Sequence, residues 1–269
     1  MELFTFAPVR FAAGAWEVAP RPVPGPPVDL RVITWNVWFG GHMFEERCEA
    51  LLAELERRRA DVIALQEVTP ALLAALFEAP WVRAAYQVSE LEVLGYDVLV
   101  LSRVPVLRMM TLPLPTEMGR RLVVARLACG LDVGTIHLES TSECAAERAA
   151  QLRIIQPHLA GVSEDVVLAG DMNFRPEALL ENAALDPSFV DVWPVLHPGD
   201  PGYTVDSERN AMLFQVASRV IRKRIDRVFA RTRRWRAEAI ELLGTEPIDE
   251  AGTFMSDHFG LEVVLRCSG

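Results

Sequence analysis

The stretch FMSDHFGLEVVL, Phe254 to Leu265, places a polar pair, Asp257 and His258, just ahead of an apolar run that reads as a strand. Four further polar sets stand at the edges of apolar, strand-like runs: TWN at Thr34 to Asn36, LQE ending at Glu67, HLES from His137 and GDMN from Gly170. Together they supply carboxylates, amides and imidazoles, with no Ser or Cys nucleophile in an activating frame. Such an inventory suits a divalent cation and a phosphate ester.

The chain has 269 residues, 51% of them hydrophobic, and a mean hydropathy of +0.17, enough for one large domain with a sizeable core. No repeat period or low-complexity block is visible. The uncharged stretches fall short of the roughly 20 apolar residues of a membrane span, and Glu2, Arg10 and Glu17 interrupt the start where a signal sequence would be apolar. A cytoplasmic protein, acting as a monomer, is expected. Cys48, Cys129, Cys144 and Cys267 lie far apart with no CxxC pair, which argues against a thiolate zinc site or a disulfide framework. The net charge of −10 excludes coating of nucleic acid by bulk electrostatics but leaves room for a local basic lining. Of 27 basic residues only Lys223 is a lysine, consistent either with guanidinium forks for phosphate or with coding bias.

Residues 1–28 end in a segment with Pro20, Pro22, Pro24, Pro26 and Pro27 and read as an N-terminal arm and proline-rich linker, although Phe4, Phe6, Phe11 and Trp16 could pack back on the body. A single catalytic domain is expected over 29–269. Arg31 to Val37 reads as a strand; Phe44, Cys48, Leu51, Leu52 and Leu55 recur at helical spacing before a second strand at Asp61 to Leu65, and Pro70 opens a short helix. Further strands are expected at Tyr96 to Ser102, Arg121 to Leu127, Leu131 to His137, Val166 to Ala169, Ile225 to Ala230 and Leu261 to Leu265, with a helix through Leu152, Ile155 and Leu159. Strands joined both as hairpins and through helices predict an α/β protein with mixed sheets and helices outside.

Each polar set admits two readings. Asp171 and Asn173 follow a wholly apolar strand, so a carboxylate able to take a proton from water and an amide able to donate to phosphate are held at its end; G-D-x-N is also an ordinary turn. Glu67 ends DVIALQE and offers an oxygen ligand to a hard cation, or begins a loop. Asn36 taken alone is a turn residue, and His137 a half-buried strand-end histidine. Asp257 with His258 could divide work between water or metal and a phosphate oxygen, or Ser256 and Asp257 could cap a turn. Strand alternation through RKRIDRVFAR sends Asp226, Val228 and Ala230 to one side and Ile225, Arg227 and Phe229 to the other, so Asp226 can point inward to orient a histidine.

In this order the sets resemble the endonuclease/exonuclease/phosphatase superfamily of metal-dependent phosphodiesterases, from about Leu30 to Leu265. Within it, HLESTSECAAERAAQL, FVDVWPVL, YTVDSERN, KRIDRVFAR and SDHFGL are most similar to the 5′-tyrosyl-DNA phosphodiesterases. The resemblance implies a four-layer α/β/β/α sandwich of the DNase I-like type, two mixed β-sheets flanked by helices, and Mg2+ or Mn2+ as cofactor. It implies that Glu67 holds the metal, with Asn36 contacting the scissile phosphate or metal shell and Asp257 binding metal-coordinated water. It further implies that Asp171 activates the attacking water, that Asn173 and His258 stabilise the pentacoordinate phosphate, and that Asp226 orients the histidine. Tyr96, His137, Ser140 and Arg175 would face a single-stranded 5′ end of nucleic acid in a DNA-repair reaction.

Four positions depart from that pattern: Trp38 where an aspartate is expected, Ser142 for an arginine, Val205 for an aromatic and Ile225 for a phenylalanine. Hydrolysis of 5′-phosphotyrosyl-DNA is therefore set against the same machinery acting on a small phosphoester, a phosphoinositide or a phospholipid head group. A non-catalytic binding module is a third reading, and it predicts damaged catalytic positions.

Overall fold

A computed structural model describes residues 2–215 and 219–268. Among these, two mixed β-sheets pack face to face. One runs Phe4–Phe6, Val106–Pro113, Arg121–Leu127, Asp132–His137, Val166–Asp171, Asp226–Arg231 and Val190–Asp191 in spatial order; the other runs Trp235–Leu243, Gly260–Cys267, Leu30–Asn36, Val62–Val68, Asp97–Ser102, Gln87–Val88, Val9–Ala12 and Ala15–Val18. Each contains one parallel pair joined by a long helix: Leu30–Asn36 and Val62–Val68 through Phe44–Arg58, and Asp132–His137 and Val166–Asp171 through Ala145–Val162. Parallel neighbours need such a crossover, which is why both helices lie on outer faces.

Three apolar layers result. Val32, Val62, Val100, Val123, Val133, Val167, Val228 and Val263 fill the space between the sheets. Ile33, Trp35, Ile63, Leu65 and Leu99 meet Leu51 and Leu55 of the first helix, and Leu122, Val124, Ile136 and Leu168 meet Leu152, Ile155 and Leu159 of the second. Strands buried on both faces explain the continuous apolar runs VVLA and VIAL. The order helix, sheet, sheet, helix is the four-layer sandwich.

The segment expected as an arm is built into the body at its start. Phe4–Phe6 pairs with Thr111, Met110 and Met109, while Val9–Ala12 and Ala15–Val18 extend the other sheet. Trp16 packs against Phe77 with ring centroids 4.3 Å apart and the planes tilted by 32°. The proline-rich part then crosses the surface, tied by the Gly25 N–H to Ala128 O at 2.8 Å and by Trp235 Nε1 to Val28 O at 2.9 Å. No helix among the described residues is long and apolar enough to cross a membrane.

Candidate active site

The carboxyl ends of both parallel pairs open at the same end of the sandwich, the position where open α/β sheets gather ligands. Asn36 and Glu67 arrive there from one sheet, His137 and Asp171 from the other. Asp226 stands opposite Asp171 in the ladder register. Between the sheets, Gln66 Nε2 donates to Thr34 Oγ1 at 3.0 Å and to Thr135 Oγ1 at 2.9 Å, a buried polar bridge that fixes one sheet end against the other.

Asn36 is the joint of the site. Its Nδ2 donates to Glu67 Oε1 at 3.2 Å and to Asp171 Oδ2 at 3.0 Å, while its Oδ1 accepts the Trp38 N–H at 3.0 Å, which sets the orientation of the amide. Asp171 also accepts the Asn173 N–H at 2.9 Å. Asn173 Nδ2 reaches Leu138 O and Ser140 Oγ. Gly170 makes this strand end feasible, since a Cβ there would lie 2.0 Å from Ile136 O. Trp38, Glu67, Thr141 and Asn173 all take positive φ, between 54° and 70°, so uncommon backbone geometry gathers at this end.

The second half is a dyad. His258 Nδ1 lies 2.8 Å from Asp226 Oδ2. The SDH run is tied to the TWN run: Ser256 Oγ donates to Asn36 O at 2.6 Å and accepts the His258 N–H at 3.1 Å, and Trp35 Nε1 donates to His258 O at 2.9 Å. Burial opposes a charge on His258, but Asp226, Asp257 and Asp171 outweigh it and hold the imidazole pKa well above its ordinary value. His137 goes the other way, held well below by burial and by Arg120. Arg120 Nη1 lies 3.0 Å from His137 Nδ1, and His137 Nε2 lies 3.5 Å from Asp171 Oδ2. The two histidines are therefore pushed in opposite directions, His258 toward the charged form and His137 toward the neutral one.

Burial and neighbouring Asp226 push Asp171 up to about 7. Glu67 is raised by burial and then by the charge of Asp257; Asp257 is raised by burial. Neither Glu67 nor Asp257 has a Lys or Arg salt-bridge partner among the described residues, and both keep some contact with solvent. Two confined carboxylates without a direct Lys or Arg partner among the described residues are a fitting donor set for a hard divalent cation. Asp171, Asp226 and His258 also bring one ligand atom each within 4.8 Å of one another. His258 Nδ1 is engaged by Asp226 and all three of these residues are buried, whereas Glu67 and Asp257 are half-buried and so the more open carboxylates.

Tyr96 stacks on Phe39 at 4.7 Å, and the Phe39 N–H donates to Glu67 Oε2 at 2.9 Å. Ser140 Oγ accepts from Arg120 Nη2 at 2.8 Å beside His137, so Tyr96, Ser140 and His137 form one edge of the site. His137 is buried, 3% exposed, and reaches the centre through Asp171 rather than through an open surface. Arg175 stands apart, half-exposed on a cleft beyond Asn173. Of the four departures, Trp38 is buried with Met212, Phe254 and Phe259, Val205 and Ile225 pack together with Leu213, and Ser142 is exposed and bonds Glu143.

Sequence reading passed over Arg120, Gln66 and Arg47. Arg47 had a signal: it falls on the same helical face as Phe44, Cys48, Leu51 and Leu55, an apolar stripe where an arginine needs a buried partner.

Two sheets with acidic, amide and imidazole groups meeting at their shared end define a class, and residues 33–258 match the Endonuclease/Exonuclease/phosphatase family. The chain belongs to this family. It is 32% identical to Tyrosyl-DNA phosphodiesterase 2 of Mus musculus over 250 residues, 88% of this chain and 66% of that protein. With the Homo sapiens protein of the same name it shares 33% over 245 residues, 86% of this chain and 66% of the relative, so it spans just under two thirds of either. A crystal structure of D. rerio TDP2 complexed with single strand DNA product superposes with a TM-score of 0.80 at 28% identity, covering 88% of this chain and 99% of that one.

Proposed function

We propose that the chain is a Mg2+- or Mn2+-dependent phosphodiesterase that hydrolyses the 5′-phosphotyrosyl bond at a single-stranded DNA end. The observation that carries this is the Asn36 amide, which joins the candidate metal ligand Glu67 to the candidate base Asp171 in one hydrogen-bonded unit. The relatives named above and the DNA product bound by the D. rerio protein favour the DNA end as substrate.

Asp171, steadied by Asn36 and the Asn173 N–H, takes a proton from the attacking water. His258, kept cationic by Asp226, donates to a phosphoryl oxygen as charge accumulates there, and the Asn173 amide adds a second donor. Glu67, with Asn36 and Asp257 beside it, would hold a divalent cation, which when bound would neutralise charge developing on the phosphoryl group. The leaving tyrosine phenolate, the conjugate base of a group with pKa about 10, needs little protonation.

The test is turnover of a 5′-phosphotyrosyl oligonucleotide with Mg2+, with chelator, and with Asp171→Ala. Chelator and substitution should each abolish release of tyrosine; wild-type rates in Asp171→Ala would remove the mechanism. The small-phosphoester reading is favoured by the net charge of −10 and by Ser142 and Val205, which leave no guanidinium or exposed aromatic at those points. Abasic DNA, inositol phosphates and an aryl phosphodiester run in parallel separate the two.

A further inference from the structure

Beyond Asn173 and Asp226 lies a cleft of about 440 Å³, lined by Arg175, Tyr203, Arg222, Lys223 and Arg224 among others. Its wall is tied to the reacting centre by backbone. The Thr204 N–H donates to Lys223 O at 2.9 Å, Thr204 Oγ1 accepts the N–H groups of Ile225 and Asp226 at 3.2 Å, and the Phe259 N–H donates to Thr204 O at 2.7 Å. A group bound in the cleft therefore sits at a fixed place relative to Asp226 and His258.

Most of the positive charge there is already matched. Arg224 pairs with Asp191 at 2.8 Å, and Arg222 pairs with Glu208 at 2.7 Å and Asp206 at 3.3 Å while lying over the Tyr203 ring. Arg175 meets Glu177 only at 3.8 Å. Lys223 is half-buried, and among the described residues no carboxylate pairs with its ammonium. Burial and the charges of Arg175 and Arg219 lower its pKa, while Asp171 is near enough to act in the opposite sense. An unpaired, confined ammonium among guanidinium groups is relieved by an anion, and the cleft is open for one.

We propose that Lys223, with Arg175, is a phosphate subsite that takes a second backbone phosphodiester of the bound strand and so directs the enzyme to polynucleotide ends. The subsite rests on the tyrosyl-DNA reading above. It supplies a local cation to a chain whose overall charge repels nucleic acid.

The experiment compares kcat/KM for a 5′-phosphotyrosyl oligonucleotide with that for the same strand carrying a neutral methylphosphonate at its second linkage. Wild type should favour the charged strand by about tenfold, chiefly through KM. Lys223→Gln should bring the ratio close to unity, and Lys223→Arg should keep most of it. A ratio unchanged in Lys223→Gln, or a loss borne equally by both substrates, overturns the subsite while leaving the tyrosyl-DNA reading in place. Wild-type protein that cleaves neither strand, yet cleaves an aryl phosphodiester, sinks both together.

Discussion

His258 Nδ1 lies 2.8 Å from Asp226 Oδ2, and the other oxygen of that carboxylate, Asp226 Oδ1, is sealed from solvent without a partner among the described residues. The dyad is thus a buried carboxylate facing one imidazole, with Nδ1 donating to Asp226 and, in the protonated ring, an Nε2–H free to donate elsewhere. Asp226→Asn removes the charge that raises the His258 pKa. The imidazolium is then lost at a lower pH, so the alkaline limb of kcat/KM moves to lower pH and the rate at neutral pH falls by roughly a hundredfold. A pH–rate profile checks this; an alkaline limb that stays in place would show that His258 does not depend on Asp226.

Asp171 places a cost on the fold. Its carboxyl is pushed up to about 7 from an ordinary value of 3.8, first by burial and then by Asp226. A carboxylate with a raised folded pKa destabilises once ionised: the cost is absent below the unfolded pKa, grows between the two and is complete above about 7. Asp171→Asn should therefore raise Tm in chelator at pH ~8, by about 2–4 °C for each kcal/mol recovered, and change it little at pH ~4. An equal shift at both pH values would mean that the substitution acts through packing instead.

Glu67 and Asp257 make a separate prediction about the cation. Because burial and then Asp257 raise Glu67, and neither carboxylate has a Lys or Arg salt bridge among the described residues, added Mg2+ should stabilise the folded chain by binding the folded and not the unfolded state. At a hundredfold excess over Kd the gain is about 2.7 kcal/mol, and Glu67→Gln should lose most of it. Thermal melts with and without Mg2+ read this directly. A full Mg2+ shift in Glu67→Gln would move the cation to the cluster of Asp171, Asp226 and His258.

Much of this site was legible because a parallel strand buried on both faces reads as an unbroken apolar run, and the polar residue that follows must stand at its end. Asp171 after VVLA follows from that pattern, whereas Asp226, first residue of an antiparallel strand, is legible only from the alternation through RKRIDRVFAR. The pattern DVIALQE puts Glu67 just past a strand ending at Leu65, but the strand continues to Val68 and Glu67 takes φ 63° at an interruption of the ladder. A left-handed glutamate leaves no trace in composition. The strands Val106–Pro113 and Trp235–Leu243 also escaped notice. WRAEAIELL is rich in helix formers, and only its place at a sheet edge beside Gly260–Cys267 makes it extended. Inter-sheet and loop-holding side chains such as Gln66 and Arg120 depend on tertiary partners far away in sequence.

Arg47 supports the loop from which the site takes the Phe39 N–H. Its guanidinium, 2% exposed, donates to five carbonyl oxygens: Val37 at 3.0 Å, Trp38 at 2.9 Å, Gly40 at 2.7 Å, His42 at 2.9 Å and Met255 at 3.2 Å. It also lies 4.4 Å from the Trp38 ring. Those carbonyls belong to the segment after Asn36 and to the residue before Ser256, so one planar fork locks the two runs that carry the candidate metal and phosphate groups. Lysine presents a point charge and cannot span the same set. Arg47→Lys and Arg47→Met should each lower stability by about 3 kcal/mol or more, because buried carbonyls lose their donors. Both should weaken the Mg2+ shift as Phe39 releases Glu67. Urea unfolding and Mg2+ melts test the two effects; an Arg47→Lys variant within about 0.5 kcal/mol of wild type and with a full Mg2+ shift would mean that the loop holds itself.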